Sequence, residues 1–171
     1  MKAVRPGLFT TATLASPVGE LAFALDEGGA LAALVFAEQG GLAELLGEGA
    51  RVTAAPKRAE AVRVAAELRA YFAGELNRFA TPVAPVVGTE FQRRVWTALR
   101  RIPFGTTWSY AELAAETGSV ARAVGGANGA NPVSIIVPCH RVIGADGSLT
   151  GYAGGLERKR WLLRHEGVLL A

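Results

Sequence analysis

One cysteine, two histidines and one methionine in 171 residues leave little material for several common chemistries. A disulfide needs a second cysteine in the chain, and a structural zinc needs several Cys or His ligands at close spacing, so neither is expected; the sequence calls for no cofactor and no metal. No apolar run is long enough to cross a bilayer, and the opening Met1-Lys2-Ala3-Val4-Arg5-Pro6 lacks the apolar centre of a signal peptide, which excludes a membrane partner and points to a cytoplasmic protein. Large excess charge is also missing, the net value being +3. What is abundant is apolar material, 50% of the residues, enough for a real core in one domain or in two small ones.

The modest charge is unevenly placed. Up to Gly88 there are eight basic and nine acidic residues, a balance of −1, and from Thr89 onward ten basic and six acidic, a balance of +4. A nucleic-acid surface on the second part is one reading and a solvated basic face the other.

In the first part, short apolar runs alternate with turn residues: Leu8 to Leu14, the turn Ser16-Pro17-Val18-Gly19, Glu20 to Leu25, the turn Asp26-Glu27-Gly28-Gly29, then Ala30 to Phe36. This pattern predicts an antiparallel meander. Val62, Ala66, Leu68, Tyr71 and Phe72 recur at helical intervals over 59–72, with Gly74 as a stop. The proline-bearing stretch Ala80 to Gly88 resists regular structure and marks a boundary, dividing the chain into an N-terminal α/β domain, residues 1–85, and a C-terminal domain, residues 86–171.

Beyond it, Thr89-Glu90-Phe91-Gln92 has capping-box spacing and opens a helix carrying Phe91, Val95, Trp96, Leu99 and Ile102, ended by Pro103-Phe104-Gly105. A second capping box, Ser109-Tyr110-Ala111-Glu112, opens a short helix that closes at Gly118, and Ser119 is placed to cap a third through Ala127. Two short helices joined by a tight glycine turn outline a helix-turn-helix, a pattern that ordinary helical hairpins share. The third helix is almost all Ala and Gly, with Arg122 its one long side chain. Such a helix suits close approach to a nucleic acid, or close packing against another helix. The last helix, Leu156 to Glu166, carries Arg158, Lys159, Arg160 and Arg164 as a basic face. Glu166 is out of place there, a carboxylate at the negative end of the helix dipole, and it calls for an imidazole or other cationic partner.

Cys139 lies in Val137-Pro138-Cys139-His140-Arg141, with an imidazole and a guanidinium adjacent, which gives the thiol a route to a depressed pKa and makes it a candidate nucleophile. Its bland alternative is an inert buried hydrophobe.

Pro138-Cys139-His140-Arg141, Arg122 to Ala127, Asn131-Pro132, Thr150 to Leu156 and Trp161 to Gly167 together, in order from about Phe91 to Gly167, resemble the O6-alkylguanine-DNA alkyltransferases, or methylated-DNA–protein-cysteine methyltransferases. That resemblance implies an α+β chain: a ribonuclease-H-like antiparallel sheet plus helix, followed by an all-helical helix-turn-helix DNA-binding domain that carries the active site. It implies that Cys139 accepts the alkyl group, that His140 deprotonates it through a water, that Glu166 orients and charges His140, and that Asn131 braces the helix-turn-helix against the cysteine. It further implies that Tyr110 contacts guanine N3, that Val142, Tyr152, Ala153 and Gly154 line the base pocket, and that Arg122 enters the stack vacated by a flipped nucleotide, with Ser109, Ala121, Ala123 and Gly125 beside it on the DNA-facing surface. The partner implied is double-stranded DNA containing O6-alkylguanine, met by a monomer. Residues 116–121 form a shorter connection than the family pattern has.

The chemistry asks for the same groups. Displacement at a saturated carbon needs a soft, strong nucleophile, a thiolate above all, and guanine leaves readily only if charge arising on its ring is neutralised. The product is a thioether that no group here can reverse. Two other classes share some features: a Cys-His-Glu thiol hydrolase, which would turn over repeatedly, and a non-catalytic lesion-binding module. The sequence leaves open which alkyl groups are accepted and whether thymine adducts are substrates.

Overall fold

The structure, a computed structural model, describes residues 7–168. The opening segment Met1 to Pro6, expected to lack a signal sequence, lies outside the described residues. The chain divides into two compact units, Met1–Val87 and Gly88–Ala171.

In the first unit, β1 (Leu8–Leu14), β2 (Leu21–Leu25) and β3 (Leu31–Phe36) form the expected antiparallel meander. The sheet is nonetheless mixed: a fourth strand, β4 (Arg51–Ala54), returns after the short helix α1 (Leu42–Leu46) and pairs parallel to β1, in the order β3-β2-β1-β4. β2 is buried at every position, as a strand covered on both faces must be, and so its Leu-Ala-Phe-Ala-Leu run shows no alternation. Helix α2 (Ala59–Phe72) spans the expected residues. Arg58, at its start, donates to Thr10 Oγ1 at 2.7 Å and to the carbonyls of Asp26 and Glu27, so one side chain ties the helix to β1 and to the β2–β3 turn. The Pro-rich stretch runs along β3 through an isolated bridge, Leu31 to Val83, and a bond from the Val86 amide to the Ala32 carbonyl at 3.1 Å.

The second unit is built from α3 (Glu90–Leu99), α4 (Tyr110–Thr117), α5 (Ala121–Gly129) and α6 (Leu156–His165). Both capping boxes form, with Thr89 and Ser109 accepting from the amides of Gln92 and Glu112. α4 stops at Gly118, which adopts the left-handed conformation that a residue without Cβ reaches cheaply. Ser119 does not cap α5; the N-cap is Val120, with no side-chain bond, because the Ser119 amide turns back to the Ala114 carbonyl at 3.0 Å in closing α4. Nor is this unit all-helical. β5 (Trp108–Ser109) and β6 (Val142–Ile143) pair in parallel, joining the start of α4 to the segment just past Cys139.

α3, α4 and α5 pack on one another, and α3 and α6 both pack against the 3-10 turn Cys139–Arg141. The fully buried Val95, Leu99, Leu113, Val124, Leu162 and Leu163 supply the apolar faces. Trp96, 2% exposed, fixes α3 to α5 by donating its indole N–H to the Ala127 carbonyl at 2.8 Å. Gly88, at φ 128°, lies over this ring, and a Cβ there would stand 2.5 Å from Trp96 Cζ3. Gly126 on α5 is the opposite case, with no atom within 4 Å of a Cβ. Gly88→Ala is therefore expected to cost about 1–3 kcal/mol from backbone strain and overlap, whereas Gly126→Ala raises stability by about 0.5–1 kcal/mol. Urea unfolding of the two variants checks both signs.

Candidate active site

The backbone approaches Cys139 through two tight turns of opposite hand. Ile135 is the one non-glycine of positive φ among the described residues, at 70°, and the Ile136 amide donates across it to the Ser134 carbonyl at 2.8 Å. This is the strained form of the γ-turn, and a β-branched residue is an unfavourable occupant. Pro138, at φ −82° and ψ 63°, centres the relaxed inverse form, closed by the Cys139 amide on the Val137 carbonyl at 2.8 Å. Burial holds the strained turn in place: Val133, Ile135, Ile136 and Val137 are all under 5% exposed. Asn131 staples the same segment, donating Nδ2 to the carbonyls of Val133 and Val137 at 3.2 and 2.9 Å and accepting the Val133 amide on Oδ1. Asn128, one helical turn earlier on α5, donates to the Cys139 carbonyl at 3.3 Å.

The 3-10 turn Cys139–Arg141 then points two consecutive side chains at one carboxylate. Glu166, in the C-cap position of α6 and 3% exposed, receives His140 Nε2 at 2.7 Å and Arg141 Nε at 2.7 Å, with a second guanidinium nitrogen at 3.1 Å. Arg141 also donates to the Ile102 carbonyl at 2.7 Å, beyond the end of α3. Burial pushes the Glu166 carboxyl up, but the hydrogen bonds from His140 and Arg141 and the positive charge of Arg141 more than reverse this and hold it down to about 2. For His140, burial outweighs the pull of Glu166 and holds the imidazole below its usual pKa. Glu166 therefore orients His140 without charging it in this state. Since the ionised carboxylate only accepts, the proton sits on Nε2 and leaves Nδ1, buried and with no hydrogen-bond partner among the described residues, as a base.

The thiol departs from the expectation of a depressed pKa. Burial, at 5% exposure, pushes Cys139 up, and this outweighs a hydrogen bond from the Asn131 side chain, the charge of Lys159 and nearby backbone amides, which pull it down. The adjacent guanidinium is not the counter-charge, because Glu166 occupies it. Lys159, expected on a basic surface, is fully buried: Nζ donates to the carbonyls of Val142, Thr150 and Gly151 at 2.6, 3.1 and 3.2 Å, and burial lowers its pKa to about 8.

Around this centre, Val142 is buried, Gly154 is buried, and Ala153 is exposed. Burial raises the Tyr152 phenol well above its usual pKa. Tyr110, the first residue of α4, donates its hydroxyl to the Thr150 carbonyl at 3.0 Å, and its ring faces Gly125 of α5. Ser109 spends its hydroxyl oxygen on the helix cap. Ala121 and Arg122 are exposed at the start of α5, with Ala123 and Gly125 half-buried behind them. Gly126 and Gly129 would meet nothing within 4 Å if given a Cβ, so close helix packing does not account for these two glycines, whereas Gly125 faces the Tyr110 ring and Ala127 is buried.

The structure thus brings Cys139, His140 and Glu166 into one buried cluster, with the half-buried Asn131 stapling the segment before it. Arg141, Lys159 and Asn128 are members that sequence reasoning did not assign. Arg141 was legible as a second cation next to an unpaired carboxylate, but nothing in the helical pattern of α6 separates Lys159 from the solvated Arg160 and Arg164.

A mixed α+β chain with a cysteine–histidine–carboxylate site in its helical unit falls in the class of thiol-dependent transferases and hydrolases. The comparisons narrow it. The family model for the DNA-binding domain of 6-O-methylguanine DNA methyltransferase matches residues 90–168. The methylated-DNA–protein-cysteine methyltransferase of Salmonella typhimurium is 61% identical over 106 residues, covering 61% of this chain and 62% of that protein, so the chain spans about three fifths of this relative's length. The Mycobacterium leprae protein of the same name is 48% identical over 153 residues, 88% of each chain. Among solved structures, Mycobacterium tuberculosis OGT in complex with DNA superposes with a TM-score of 0.82 at 46% identity, covering 92% of this chain and 93% of that one. The chain belongs to the methylated-DNA–protein-cysteine methyltransferase family.

Glu166 makes acid stability a test of the cluster. Its folded pKa lies below the usual 4.5, so the stability it contributes is complete above pH 4.5 and lost as pH falls towards 2; His140, also depressed, acts in the same direction below pH 6.5. Glu166→Gln leaves Arg141 buried without its charge partner, at an expected cost of about 3–5 kcal/mol at pH 7. It should also flatten the loss between pH 4.5 and 2. Urea midpoints measured across that range for both proteins decide it, and equal midpoints at pH 7 would refute the assignment.

Proposed function

We propose that the chain repairs DNA by direct damage reversal, transferring a methyl or other alkyl group irreversibly, once per molecule, from O6-alkylguanine to Cys139. The observation that carries this reading is the neutral His140, its Nε2 proton fixed on an ionised Glu166 and its Nδ1 free to accept, one residue after a buried thiol.

His140 Nδ1 takes the thiol proton through a water. Asn131 and the charge of Lys159 support the thiolate that results. Sulfur then attacks the alkyl carbon, a C–S bond forms as the C–O6 bond breaks, and the electron pair passes to the guanine ring. Tyr110 leaves the Thr150 carbonyl and donates to guanine N3, easing departure of the base. The proton taken from sulfur finally resides on guanine, so atoms and charge balance. Cys139 is left as a thioether, and the molecule is spent.

The target atom lies inside a duplex, and extruding its nucleotide costs a few kcal/mol. Arg122 fills the vacated stack. Ala121, Ala123 and Gly125, with Ser109 at the neighbouring helix start, form the surface that approaches the groove. Val142, Tyr152, Ala153 and Gly154 receive the flipped base. The likeness to a structure solved in complex with DNA, and the open space above Gly126 and Gly129, support this face. In this reading α4, its three-residue turn and α5 are a helix-turn-helix, residues 86–171 are the alkyltransferase domain, and the sheet of residues 1–85 is ribonuclease-H-like. The working unit is a monomer on double-stranded DNA in the cytoplasm. No helix among the described residues is long and apolar enough to cross a membrane.

Mass spectrometry after incubation with an O6-methylguanine oligonucleotide should show one added methyl on the peptide containing Cys139, one equivalent of repaired DNA per protein, and no repair by Cys139→Ala. Continued turnover, or repair with Cys139 unmodified, would sink the mechanism. Arg122→Ala should slow repair of the duplex while leaving transfer from the free base O6-methylguanine unchanged.

A further inference from the structure

Val120 is the most exposed large apolar side chain among the described residues, at 65%. Isolated exposed valines are ordinary on protein surfaces, and this one is set apart by where it stands. It is the N-cap of α5: its backbone is extended, at φ −118° and ψ 154°, and its carbonyl accepts a helical bond from the Val124 amide at 3.1 Å. That geometry suits Ser, Thr, Asp or Asn, whose side-chain oxygen would hold an amide of the first turn, and valine makes no such bond. α3 and α4 are both closed by complete capping boxes. α5 instead goes without a side-chain cap and presents an isopropyl group to water, so the residue is unfavourable on two counts in the free protein.

The neighbours of Val120 supply a reason. Ala121 and Arg122, next in the chain, are exposed on the face that meets DNA in the proposed reaction. Arg122 is also the only charged residue from Gly118 to Val137, so this face has little with which to hold phosphates. A duplex offers apolar surface as well, on its sugars and base edges, and proteins that deform DNA place apolar side chains against it. A valine directly continuous with Arg122 is positioned to use that surface.

We propose that Val120 is a second DNA-contacting side chain, an apolar wedge that is buried against the sugars and base edges of the step bordering the nucleotide that Arg122 replaces. The inference rests on the alkyl-transfer reading and its DNA-facing surface. Valine is too short to enter the stack itself; it excludes water from the groove side of that step while the guanidinium fills the gap. Its contribution to affinity carries no charge.

The test measures affinity for a duplex carrying O6-methylguanine at several salt concentrations, in the Cys139→Ala background so that no methyl is transferred, together with urea midpoints of the same proteins. Val120→Ser should raise the urea midpoint, because the hydroxyl caps α5, and yet weaken duplex binding by about tenfold, the low end of what withdrawing a buried valine side chain costs. The slope of log Kd against log salt should stay as in the parent, since no phosphate contact is lost. Val120→Ile, apolar and equally unable to cap, should keep the affinity of the parent. A merely structural role for Val120 predicts the opposite pairing, with the better-capped helix binding as well as the parent or better. A Ser variant within twofold of the parent, a shallower salt slope in that variant, or an Ile variant as weak as the Ser variant would each overturn the proposal. Absence of methyl transfer by the wild-type protein would instead refute the reading on which it rests.

Discussion

The second unit depends on a carboxylate buried where a helix least favours one. Glu166 occupies the C-cap position of α6, at the negative end of the helix dipole and out of reach of solvent, and is stable there only because His140 and Arg141 approach both of its oxygens. The same guanidinium reaches the Ile102 carbonyl, so one ion pair connects the end of α6, the 3-10 turn and the segment after α3. The cysteine is positioned by this junction. Its neighbours on the turn are fixed by charge, and its own backbone by two opposed γ-turns and the side chains of Asn131 and Asn128.

Charge at the site is distributed in a way that local adjacency does not suggest. Arg141 is next but one to Cys139, yet its positive charge is committed to Glu166, while Lys159, twenty residues on in the chain, is the cation that acts on the thiol. His140 is likewise kept neutral by burial, with Glu166 setting its tautomer. In the proposed reaction this leaves a base on Nδ1 and a compensating charge on the opposite element, two functions that a single imidazolium could not perform together.

Much of this was legible in the residues. The helices α2, α3, α4 and α6 announce themselves through apolar periodicity, capping boxes and glycine stops, signals that act within one or two turns of chain. The conflict between Glu166 and its helix dipole pointed to a buried partner. What escaped depends on the third dimension. β4 pairs with β1 across about forty intervening residues, and Arg51-Val52-Thr53-Ala54 is too short and too exposed to show a pattern. Lys159 follows the helical spacing of its basic neighbours, and only the loop carbonyls that surround it distinguish it. The thiol's pKa was misjudged because sequence shows which charges are near but not how little water is.

A thiol that burial keeps protonated reacts slowly with peroxide and with stray electrophiles. In the proposed reaction, which spends the one nucleophile on one event, the raised pKa of Cys139 is a form of shelf life: the stock of active molecules would be drawn down by lesions rather than by the ordinary chemistry of the solution around them.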